Sequence, residues 1–526
     1  MDTKALRQKV LDLAIRGKLV PQDPNDEPAS VLLERIRQQK QQMVKEGKLK
    51  AKDIKNDTII FVGEDNLHYE KFSDGSVKCI EDEVPFGLPD GWAWSKIGPL
   101  CEYITSGSRG WAQYYSETGI LFLRMGNLSR DSFDLRLDNL QRVNLPDNAE
   151  GTRTRVAEND LLFSITAEIG MLGLIPANFE EAYINQHVGL IRFLKDAQTK
   201  FFPYILMSEF CRDQYYTVQC GMKNSFRLDN IQNILAPVPP LGEQIRIAEK
   251  LSNIWTHIQQ IDIESEAASD IISKAKSKIL DLAIRGQLVP QDPDDEPASV
   301  LLERIRAEKE ELIKQGKLKR DKKESVIFRG EDNSYYLRTG ELVESLEDWD
   351  FEELPDSWSV CCLGELCDYG NCTNIDTADI ADSAWILDLE DIEKDSGVVL
   401  QKVRQGERNA GSTKHRFHKG QVLYSKLRPY LNKVVLADED GYCTSEILPL
   451  EFEWNILPQY ARYFLMSPAF LRYANKCSYG VKMPRLGTAD GKKAIISVPP
   501  VKEQKRIIMA IELAFAQLAS IAENLA

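Results

Sequence analysis

The sequence predicts an α+β fold in which two divergent mixed α/β domains alternate with two copies of a helical frame. Three observations carry this prediction: a long internal repeat, an uninterrupted helical pattern in the middle of the chain, and short β-rich segments within each divergent domain. The chain has 526 residues, which is more than one hydrophobic core usually organises.

The repeat is nearly identical over its best-matched part. Residues 11–37 and residues 280–306 both carry the pattern LDLAIRG-x-LVPQDP-x-DEPASVLLERIR and differ at only two positions. Further along, LPDGW at Leu88 pairs with LPDSW at Leu354, and a VPP-xx-EQ-x-RI motif closes each copy. A period of roughly 260–270 residues is too long for a solenoid and indicates two domain-sized copies.

Similarity falls to scattered positions between the LPD-x-W and VPP motifs of each copy. We call these divergent domains head one (residues 86–240) and head two (residues 351–500). The remaining segments form the frame, and we predict its boundaries as an N-terminal helical copy, a central copy with a long helix and a C-terminal helix: residues 1–85, 241–350 and 501–526.

The central helix is predicted from apolar residues at spacings of three and four over residues 241–285, with no Pro or Gly before Gly286. Such a helix would span roughly 65 Å. Two shorter helices with a break near residues 264–269 remain an alternative. Residues 2–16 repeat the second half of this helix and residues 501–526 repeat its first half. We expect the two terminal pieces to meet and pack as an antiparallel coiled coil against the central helix, giving a pseudo-two-fold and pseudo-circular body.

The heads have mixed patterns. Head one contains short β-rich runs, namely ILFL, LLFS, LGLI and VGLIRFL, which are separated by turn residues. FFPYILMSEFCRDQYY in head one and PQYARYFLMSPAFLRYAN in head two each read as a helix. The heads are therefore predicted to be α/β domains built on one plan.

Composition sets limits on the class of protein. The net charge of −15 lowers the expectation for a stand-alone DNA-binding protein, but not for a subunit whose partners add charge. No run of 18 or more apolar residues occurs, so no membrane-spanning helix and no membrane partner are expected. The ten cysteines show no regular disulfide spacing, and the N-terminus lacks an apolar signal core, so we expect reduced thiols and a cytoplasmic location.

The repeat and the motif that opens each long helix carry a family resemblance. LVPQDP-x-DEPASVLLERI, VPP-xx-EQ-x-RI, and the head segments QVLYSKLRPYLNKVVLA and LRMGNLS resemble the specificity (S) subunits of type I restriction-modification systems over essentially the whole chain. The resemblance implies two target-recognition domains, each reading one half of a split DNA target, with the helices fixing the gap. It also implies two methyltransferase (M) subunits and restriction (R) subunits as partners. Many relatives begin directly with the first recognition domain, whereas this chain opens with a copy of the repeat.

The predicted DNA contacts in head two come from a basic stretch over residues 402–433, in which Glu407 is the only acid, and from the loop SYGVKMPRLG. Phosphate contacts need Lys and Arg, and base edges are read by Arg, Asn and Gln in particular. An ordinary solvated face is the alternative for the basic stretch. The candidates in head two are Arg404, Lys414, Arg416, Lys426, Arg428, Lys482 and Arg485.

Head one is less basic. Its loop QCGMKNSFRL corresponds to SYGVKMPRLG in head two, with RL at Arg227 matched to RL at Arg485. The candidates in head one are Arg124, Asn127, Arg153, Arg155, Lys223, Asn224 and Arg227. Arg153 and Arg155 alternate along a possible strand, so a solvated face remains open for both.

No catalytic motif is found. The chain has no GxxxxGK[ST] loop and no glycine-rich turn for S-adenosylmethionine, and its Pro-Pro pairs lack the context of amino-methyltransferases. Cys361, Cys362, Cys367 and Cys372 lie close together in the sequence, but they fit core thiols better than a zinc site.

We therefore expect a non-enzymatic reader of double-stranded DNA with no cofactor of its own. S-adenosylmethionine, ATP and Mg²⁺ are implied for the partner subunits. A duplicated protein–protein adaptor is the alternative.

Overall fold

The structure is a computed structural model that describes residues 2–146, 152–217, 226–317, 325–330, 332, 334–346, 354–408 and 411–525. The chain divides into two compact units, Met1–Glu264 and Ser265–Ala526. Each unit contains one copy of the frame and one head.

The first unit combines helices from the frame with a head built mostly of strands. Its helices are α1 (Thr3–Ile15), α2 (Ala29–Lys45), α3 (Ile97–Leu100), α4 (Phe201–Leu206), α5 (Glu209–Thr217), α6 (Leu228–Gln232) and α7 (Leu241–Ile284), the last running past residue 264. Its strands are β1 (Ile59–Val62), β2 (His68–Lys71), β3 (Val77–Cys79), β4 (Ala93–Lys96), β5 (Cys101–Ser106), β6 (Tyr115–Ser116), β7 (Ile120–Leu123), β8 (Arg142–Val143), β9 (Leu161–Ser164), β10 (Leu172–Leu174), β11 (Ala182–Ile184), β12 (Val188–Phe193) and β13 (Leu235–Val238).

The second unit repeats this order. Its helices are α8 (Ala298–Lys314), α9 (Leu363–Leu366), α10 (Gln405–Arg408), α11 (Pro458–Leu465), α12 (Pro468–Lys476), α13 (Thr488–Lys493) and α14 (Val501–Leu525). Its strands are β14 (Ser325–Arg329), β15 (Tyr335–Thr339), β16 (Leu342–Ser345), β17 (Ser359–Cys362), β18 (Asn374–Ile375), β19 (Trp385–Leu387), β20 (Val403–Arg404), β21 (Lys414–Phe417), β22 (Val422–Ser425), β23 (Val434–Leu436), β24 (Gly441–Thr444), β25 (Ile447–Leu450), β26 (Ser478–Tyr479), β27 (Arg485–Leu486) and β28 (Ile495–Val498).

The two heads share one sheet plan. In head one the central strand β9 pairs antiparallel with β10 and β12, and in head two β22 pairs in the same way with β23 and β25. A second sheet contains a parallel pair, β7 with β11 in head one and β19 with β24 in head two. The expectation of two α/β domains on one plan is confirmed, and the overall α+β class with it.

The central strand of each head is buried on both faces. Leu161 and Phe163 face the core that joins the head to the frame, whereas Leu162 faces a second core inside head one. In head two, Val422 and Tyr424 face the frame and Leu423 faces the inner core. Successive side chains of a strand point to opposite faces, so burial on both faces requires a continuous apolar run. This requirement explains why LLFS and VLYS are still matched although the rest of the heads diverges.

Each head begins and ends at the same place on the frame. Strand β4 follows the LPD-x-W motif and pairs antiparallel with β13, which leads through Pro239 and Pro240 into α7. In the second unit β17 pairs with β28 in the same register relation, Ser359 opposite Val498. Each head is thus an insertion closed by its own first and last strands.

The motifs that the two copies of the repeat share lie together at this junction. In the first unit the indole Nε1 of Trp92 donates to Oε2 of Glu243 at 2.9 Å, and Arg246 pairs with Asp26 at 2.6 Å. Gln244 donates to the Pro239 carbonyl at 2.9 Å. The motifs LPD-x-W, VPP-xx-EQ-x-R and QDP-x-D therefore form one cluster, which we call the junction cluster.

The second unit builds the same junction cluster. Trp358 donates to Glu503 at 3.0 Å and Arg506 pairs with Asp295 at 2.7 Å, while Gln504 donates to the Pro499 carbonyl. Both glutamates are buried, and each has one carboxyl oxygen without a hydrogen-bond partner. Motifs that the sequence carries far apart are thus held by the same contacts in both copies.

The long helix α7 confirms the expected uninterrupted central helix, because the alternative break near residues 264–269 does not occur. The terminal helices α1 and α14 also form where the repeat predicts them. Within the first unit, Arg7 of α1 pairs with Asp262 of α7 at 2.6 Å. The pseudo-two-fold, pseudo-circular arrangement of the two copies stays a prediction.

The single helix expected in each head is wrong in detail, since each is two helices. The break falls at Met207 and Ser208 in head one, and at Met466 and Ser467 in head two. The hydroxyl of Ser467 accepts a hydrogen bond from the Phe470 amide, and Pro468 follows at the first helical position. A serine cap followed by proline favours the start of a new helix.

By length and composition alone, α14 could cross a membrane, because an 18-residue window within it has a mean hydropathy of 1.4. The expectation that no such helix would be found rested on unbroken apolar runs and is therefore not met on this measure. The N-terminal part of α14 packs into the core of the second unit through Ile507, Ile508 and Ile511.

The junction cluster predicts a pH dependence of stability. Burial raises the pKa of the Glu503 carboxyl above its ordinary value of 4.5, although Gln291 and Trp358 donate hydrogen bonds to it. A carboxyl whose pKa is raised in the folded state contributes stability that is present below the unfolded pKa and is lost as pH rises through the folded pKa. Glu503→Gln keeps an acceptor for the indole and cannot ionise. As pH rises above 4.5, wild type should lose stability that Glu503→Gln keeps. We therefore expect the melting temperature of Glu503→Gln minus that of wild type to increase with pH.

The control variant is Glu503→Ala, which removes the acceptor for Trp358. It should be less stable than Glu503→Gln at every pH, by roughly 1–3 kcal/mol, because a buried indole N–H is left unpaired. Calorimetric melting of the three proteins across the pH range provides the measurement. A difference between Glu503→Gln and wild type that decreases with rising pH would contradict the raised pKa.

Candidate nucleic-acid interface

The turn after the central strand has the same unusual backbone in both heads. Ala167 follows β9 with φ +56°, and Arg428 follows β22 at the matching position with φ +49°. Non-glycine residues in the left-handed region are uncommon and concentrate at functional sites. The backbone beside each turn also receives a matching hydrogen bond, from Phe226 N to Ile165 O and from Leu486 N to Lys426 O.

In head two this turn lies against a two-stranded ribbon, β26 and β27. Ser478 pairs with Leu486 and Tyr479 with Arg485. The Arg428 amide donates to the Pro484 carbonyl at 2.7 Å, and Leu427 bridges to Arg485. The fold therefore brings the predicted residues Lys426, Arg428, Lys482 and Arg485 together, although Lys426 and Lys482 are more than 50 residues apart in sequence. We call residues 426–430 and 478–486 the ribbon site.

Within the ribbon site the cations differ in availability. Lys482 is exposed and Lys426 is partly exposed, and neither has an ion-pair partner among the described residues. Arg428 is partly exposed, and its Nε is buried with no hydrogen-bond partner. These three side chains are therefore the ones free to contact an anionic ligand.

Arg485 is held within the protein. Its guanidinium donates to both carboxyl oxygens of Glu446, with N–O distances of 2.8 to 3.1 Å. The hydrogen bonds to Glu446 raise the pKa of Arg485 above its ordinary value. A bidentate pair of this kind fixes the base of the ribbon, so Arg485 positions the loop rather than presenting a free guanidinium.

The expected match of Arg227 with Arg485 is wrong by two positions, because Arg227 corresponds to Gly487 in the structure. Phe226 and Leu486 make the equivalent backbone hydrogen bond, and Arg227 and Gly487 are the equivalent residues that precede α6 and α13. The RL dipeptides align in sequence by chance. Arg227 is exposed at the start of α6. Lys223 and Asn224, the other candidates in this loop, lie outside the described residues.

The first part of the basic stretch, residues 402–414, is neutralised by acids from other parts of head two. Arg404 pairs with Glu439, and Lys414 is buried and pairs with Asp388 at 3.0 Å. Hydrogen bonds from Arg404 and Lys402 lower the pKa of Glu439. Only Glu407 lies within the stretch itself, so this pairing could not be predicted from the local sequence.

Three further basic residues of this stretch differ in their contacts. Arg408 pairs with the buried Asp391, and Lys433 donates to the Leu389 carbonyl at 2.6 Å. Arg416 is exposed on β21, near Asp440. Of the candidates between residues 402 and 425, Arg416 is therefore the one whose charge faces solvent without an ion pair in the described structure.

The candidate DNA contacts of head one lie in two separate places. Asn127 is buried, and it accepts from the Arg124 amide and donates to the carbonyls of Arg136 and Asn139. Its amide thus stabilises the loop that carries Arg124, whose own side chain is partly exposed and reaches Asn139 at 3.5 Å. Asn127 is therefore a positioning residue by its contacts.

The second place in head one contains Arg153 and Arg155. Both are exposed, and Arg155 pairs with Glu181 at 3.3 Å. Arg155 also forms an isolated bridge with Tyr183, whereas Arg153 lies in a short 3₁₀ turn, so the strand expected through both residues is not regular. Arg153 has no ion-pair partner among the described residues.

The apolar residues of the ribbon site were not predicted from the sequence. Tyr479, Val481 and Met483 are exposed at 62%, 102% and 49%, and Tyr430 is exposed on the adjoining turn. The available signal was a glycine-flanked loop in which apolar and basic residues alternate. Apolar side chains of that size on a loop tip usually mark a contact surface.

Three of the four clustered cysteines fit the interpretation as core thiols, whereas Cys372 is only partly buried. Cys361, Cys362 and Cys367 are buried free thiols, and burial raises the pKa of Cys362 to about 12. Within the described part of the chain, no group of three or more His, Cys, Asp or Glu residues could hold a metal ion.

Comparison with known proteins gives relatives of one kind. The specificity subunit of the type I restriction enzyme EcoEI from Escherichia coli is 29% identical over 424 residues, which cover 69% of this chain and 61% of that relative. The specificity subunit of EcoAI, also from Escherichia coli, is 29% identical and covers 70% of this chain and 63% of that relative. The chain thus spans less than two thirds of the length of these relatives.

A solved chain from work on complex assembly and conformational transition of the type I R-M system shares the fold. Its TM-score is 0.50 at 14% identity, with coverage of 84% of this chain and 94% of that chain. This likeness concerns the fold alone.

The family model described as type I restriction modification DNA specificity domain matches two segments, residues 89–268 and 355–523. Each match covers nearly all of one head and continues into the helix that follows it, through residue 268 of α7 and residue 523 of α14. The two segments cover more than half of the chain, and the chain therefore belongs to the family of type I restriction modification DNA specificity domains.

Proposed function

We propose that this chain is the sequence-specific DNA-binding subunit of a type I restriction-modification complex, in which each head reads one half of a bipartite target. One observation carries the proposal: two heads with the same sheet plan but divergent sequences are inserted at identical junction clusters. Such an insertion lets the reading surface change while the frame keeps its geometry. Family membership supports the same conclusion.

The long helix supplies the spacer in this proposal. Helix α7 covers 44 residues and begins at the junction cluster of head one. Two heads on a stiff helical spacer would demand half-sites at a fixed offset, because the orientation of base edges repeats about every 10.5 base pairs. The gap in the target would then be a property of the frame.

The chain is proposed to be non-catalytic and cytoplasmic and to hold no cofactor of its own. Two adenine methyltransferase subunits would supply S-adenosylmethionine chemistry, and restriction subunits would supply ATP- and Mg²⁺-dependent translocation and cleavage. The relatives named as specificity subunits support this division of labour.

A methylation map tests the proposal. The chain would be co-expressed with the methyltransferase encoded beside it in a host whose DNA lacks this modification, and genomic DNA would be sequenced with modification detection. Adenine methylation at one split motif with a fixed gap is the expected result.

The second candidate function is a duplicated protein–protein adaptor, and the internal ion pairs of residues 402–433 favour it. These pairs remove much of the positive charge that DNA binding would use. A stable complex with the methyltransferase that methylates no motif would support the adaptor and contradict the DNA-reading proposal.

The salt dependence of DNA binding should separate free from paired cations. Lys426→Gln and Lys482→Gln each remove a cation that has no ion-pair partner in the described structure, so each should reduce the slope of log K against log salt by about 0.9. Arg404→Gln is the control, because Arg404 is partly exposed, as Lys426 is, but pairs with Glu439. Its slope should equal that of wild type. Fluorescence anisotropy of the methyltransferase complex on target DNA over a range of KCl concentrations gives the slopes, and equal slopes for all three variants would contradict the assignment.

Exchange of one head should change one half of the target. The antiparallel pair β17–β28 closes head two, so residues 363–494 can be replaced by the same span of another family member while both closing strands are retained. We expect a new sequence at one half-site, with the other half-site and the gap unchanged. Methylation mapping of the hybrid gives the result, and a change in both half-sites would contradict independent heads.

A further inference from the structure

The tip of the ribbon site is apolar although it projects into solvent. Val481 is fully exposed at 102%, and Tyr479 and Met483 on either side are exposed at 62% and 49%. Removing apolar surface from water is favourable, so a loop that holds three such side chains in water is stabilised when a partner covers them.

The loop is held in place at its base. Leu486 is buried, its amide donates to the Lys426 carbonyl at 3.0 Å, and Arg485 is clamped to Glu446. The Arg428 amide donates to the Pro484 carbonyl on the same side of the tip, and the pairing of Ser478 with Leu486 and of Tyr479 with Arg485 holds the other side. Gly480 turns the chain with φ +100°. A tip fixed at both ends loses less conformational freedom on binding than a free loop does.

The surroundings of the tip indicate the chemistry of its partner. Lys482 lies between Val481 and Met483 at the tip, Lys426 and Arg428 lie on the turn that contacts the base of the ribbon, and Tyr430 is exposed on the same turn. A partner must therefore present an apolar group between negatively charged edges. The major groove of DNA does so, because the C5 methyl of thymine lies on its floor between two rows of phosphates.

The shape of the ribbon distinguishes the two grooves. The major groove is about 12 Å wide and admits a two-stranded β-ribbon, whereas the minor groove is about 6 Å wide and exposes no methyl group. Strands β26 and β27 form such a ribbon, with Val481 near the middle of the connecting tip.

We propose that the ribbon tip of head two enters the major groove and that Val481 reads a thymine in the half-site through contact with its C5 methyl group, while Lys482 contacts a phosphate. This inference rests on the proposed function, since it assigns a base contact to a head that reads DNA. Arg485 and Glu446 act as positioning residues for the tip.

The experiment removes either the C5 methyl group of the thymine or the side-chain methyl groups of Val481. Once the half-site of head two is known, each thymine in it is replaced in turn by deoxyuridine, which lacks only the C5 methyl. Binding of the complete methyltransferase complex is then measured for wild type, Val481→Ala and Lys482→Ala. For wild type, one replacement should weaken binding about fourfold, the value of one buried methyl group.

The variants should then behave differently. Val481→Ala should weaken binding to the thymine target and lose the sensitivity to that one deoxyuridine. Lys482→Ala should weaken binding to thymine and deoxyuridine targets by the same factor and keep the sensitivity, because a phosphate contact carries no base information.

Several results would overturn the inference while leaving the proposed function intact. The first is sequence-specific binding whose affinity changes with no deoxyuridine replacement. The second is a Val481→Ala protein whose affinity still falls with the same replacement as in wild type. The third is a Val481→Ala protein that no longer assembles with the methyltransferase, which would make the tip a protein contact. Absence of any sequence-specific binding by the wild-type complex would instead contradict the proposed function. Val481 is fully exposed, so its truncation should not affect folding, and a circular dichroism melt of the variant verifies this.

Discussion

The hydrogen bond from a buried tryptophan to a buried glutamate at the start of each long helix is the constraint on which the rest of the structure depends. Trp92 and Glu243 make it in the first unit, and Trp358 and Glu503 make it in the second. The tryptophan stands at the entrance to a head and the glutamate at the exit from it. One contact therefore joins the first strand of the head, its last strand and the helix that follows.

This junction explains why the heads can diverge. The chain enters and leaves each head through an antiparallel strand pair, so the frame is affected only by the position of those two strands. Inside the heads the central strand must stay apolar on both faces, which LLFS and VLYS satisfy. Loops beyond the strands carry no such constraint, and there the two sequences differ most.

The distribution of charge in head two follows from the same separation of scaffold and loops. Arg404, Arg408 and Lys414 lie on or beside the sheet and form ion pairs that tie its edges to neighbouring turns. Lys426 and Lys482 lie beyond the sheet, at the turn and at the ribbon tip, where no acid of the described structure pairs with them. The strained backbone at Arg428, matched by Ala167 in head one, marks the same edge of both heads. Positive charge useful for binding is thus a property of position in the fold rather than of local sequence composition.

The sequence by itself determined the duplication, the boundaries of the long helix and the α/β character of the heads, because repeats and apolar periodicity are local patterns that report burial directly. It also indicated the ribbon loop, from glycine and basic residues at the matched place in each copy. Only the tertiary structure decided which cations are available. Arg404, Arg408 and Lys414 are neutralised by Glu439, Asp391 and Asp388, which lie close to them only in the folded head. The offset between Arg227 and Arg485, the burial of Asn127 and the exposure of Val481 were likewise set by contacts between distant segments. An ion pair depends on distance in space, and a linear pattern carries no information about that distance.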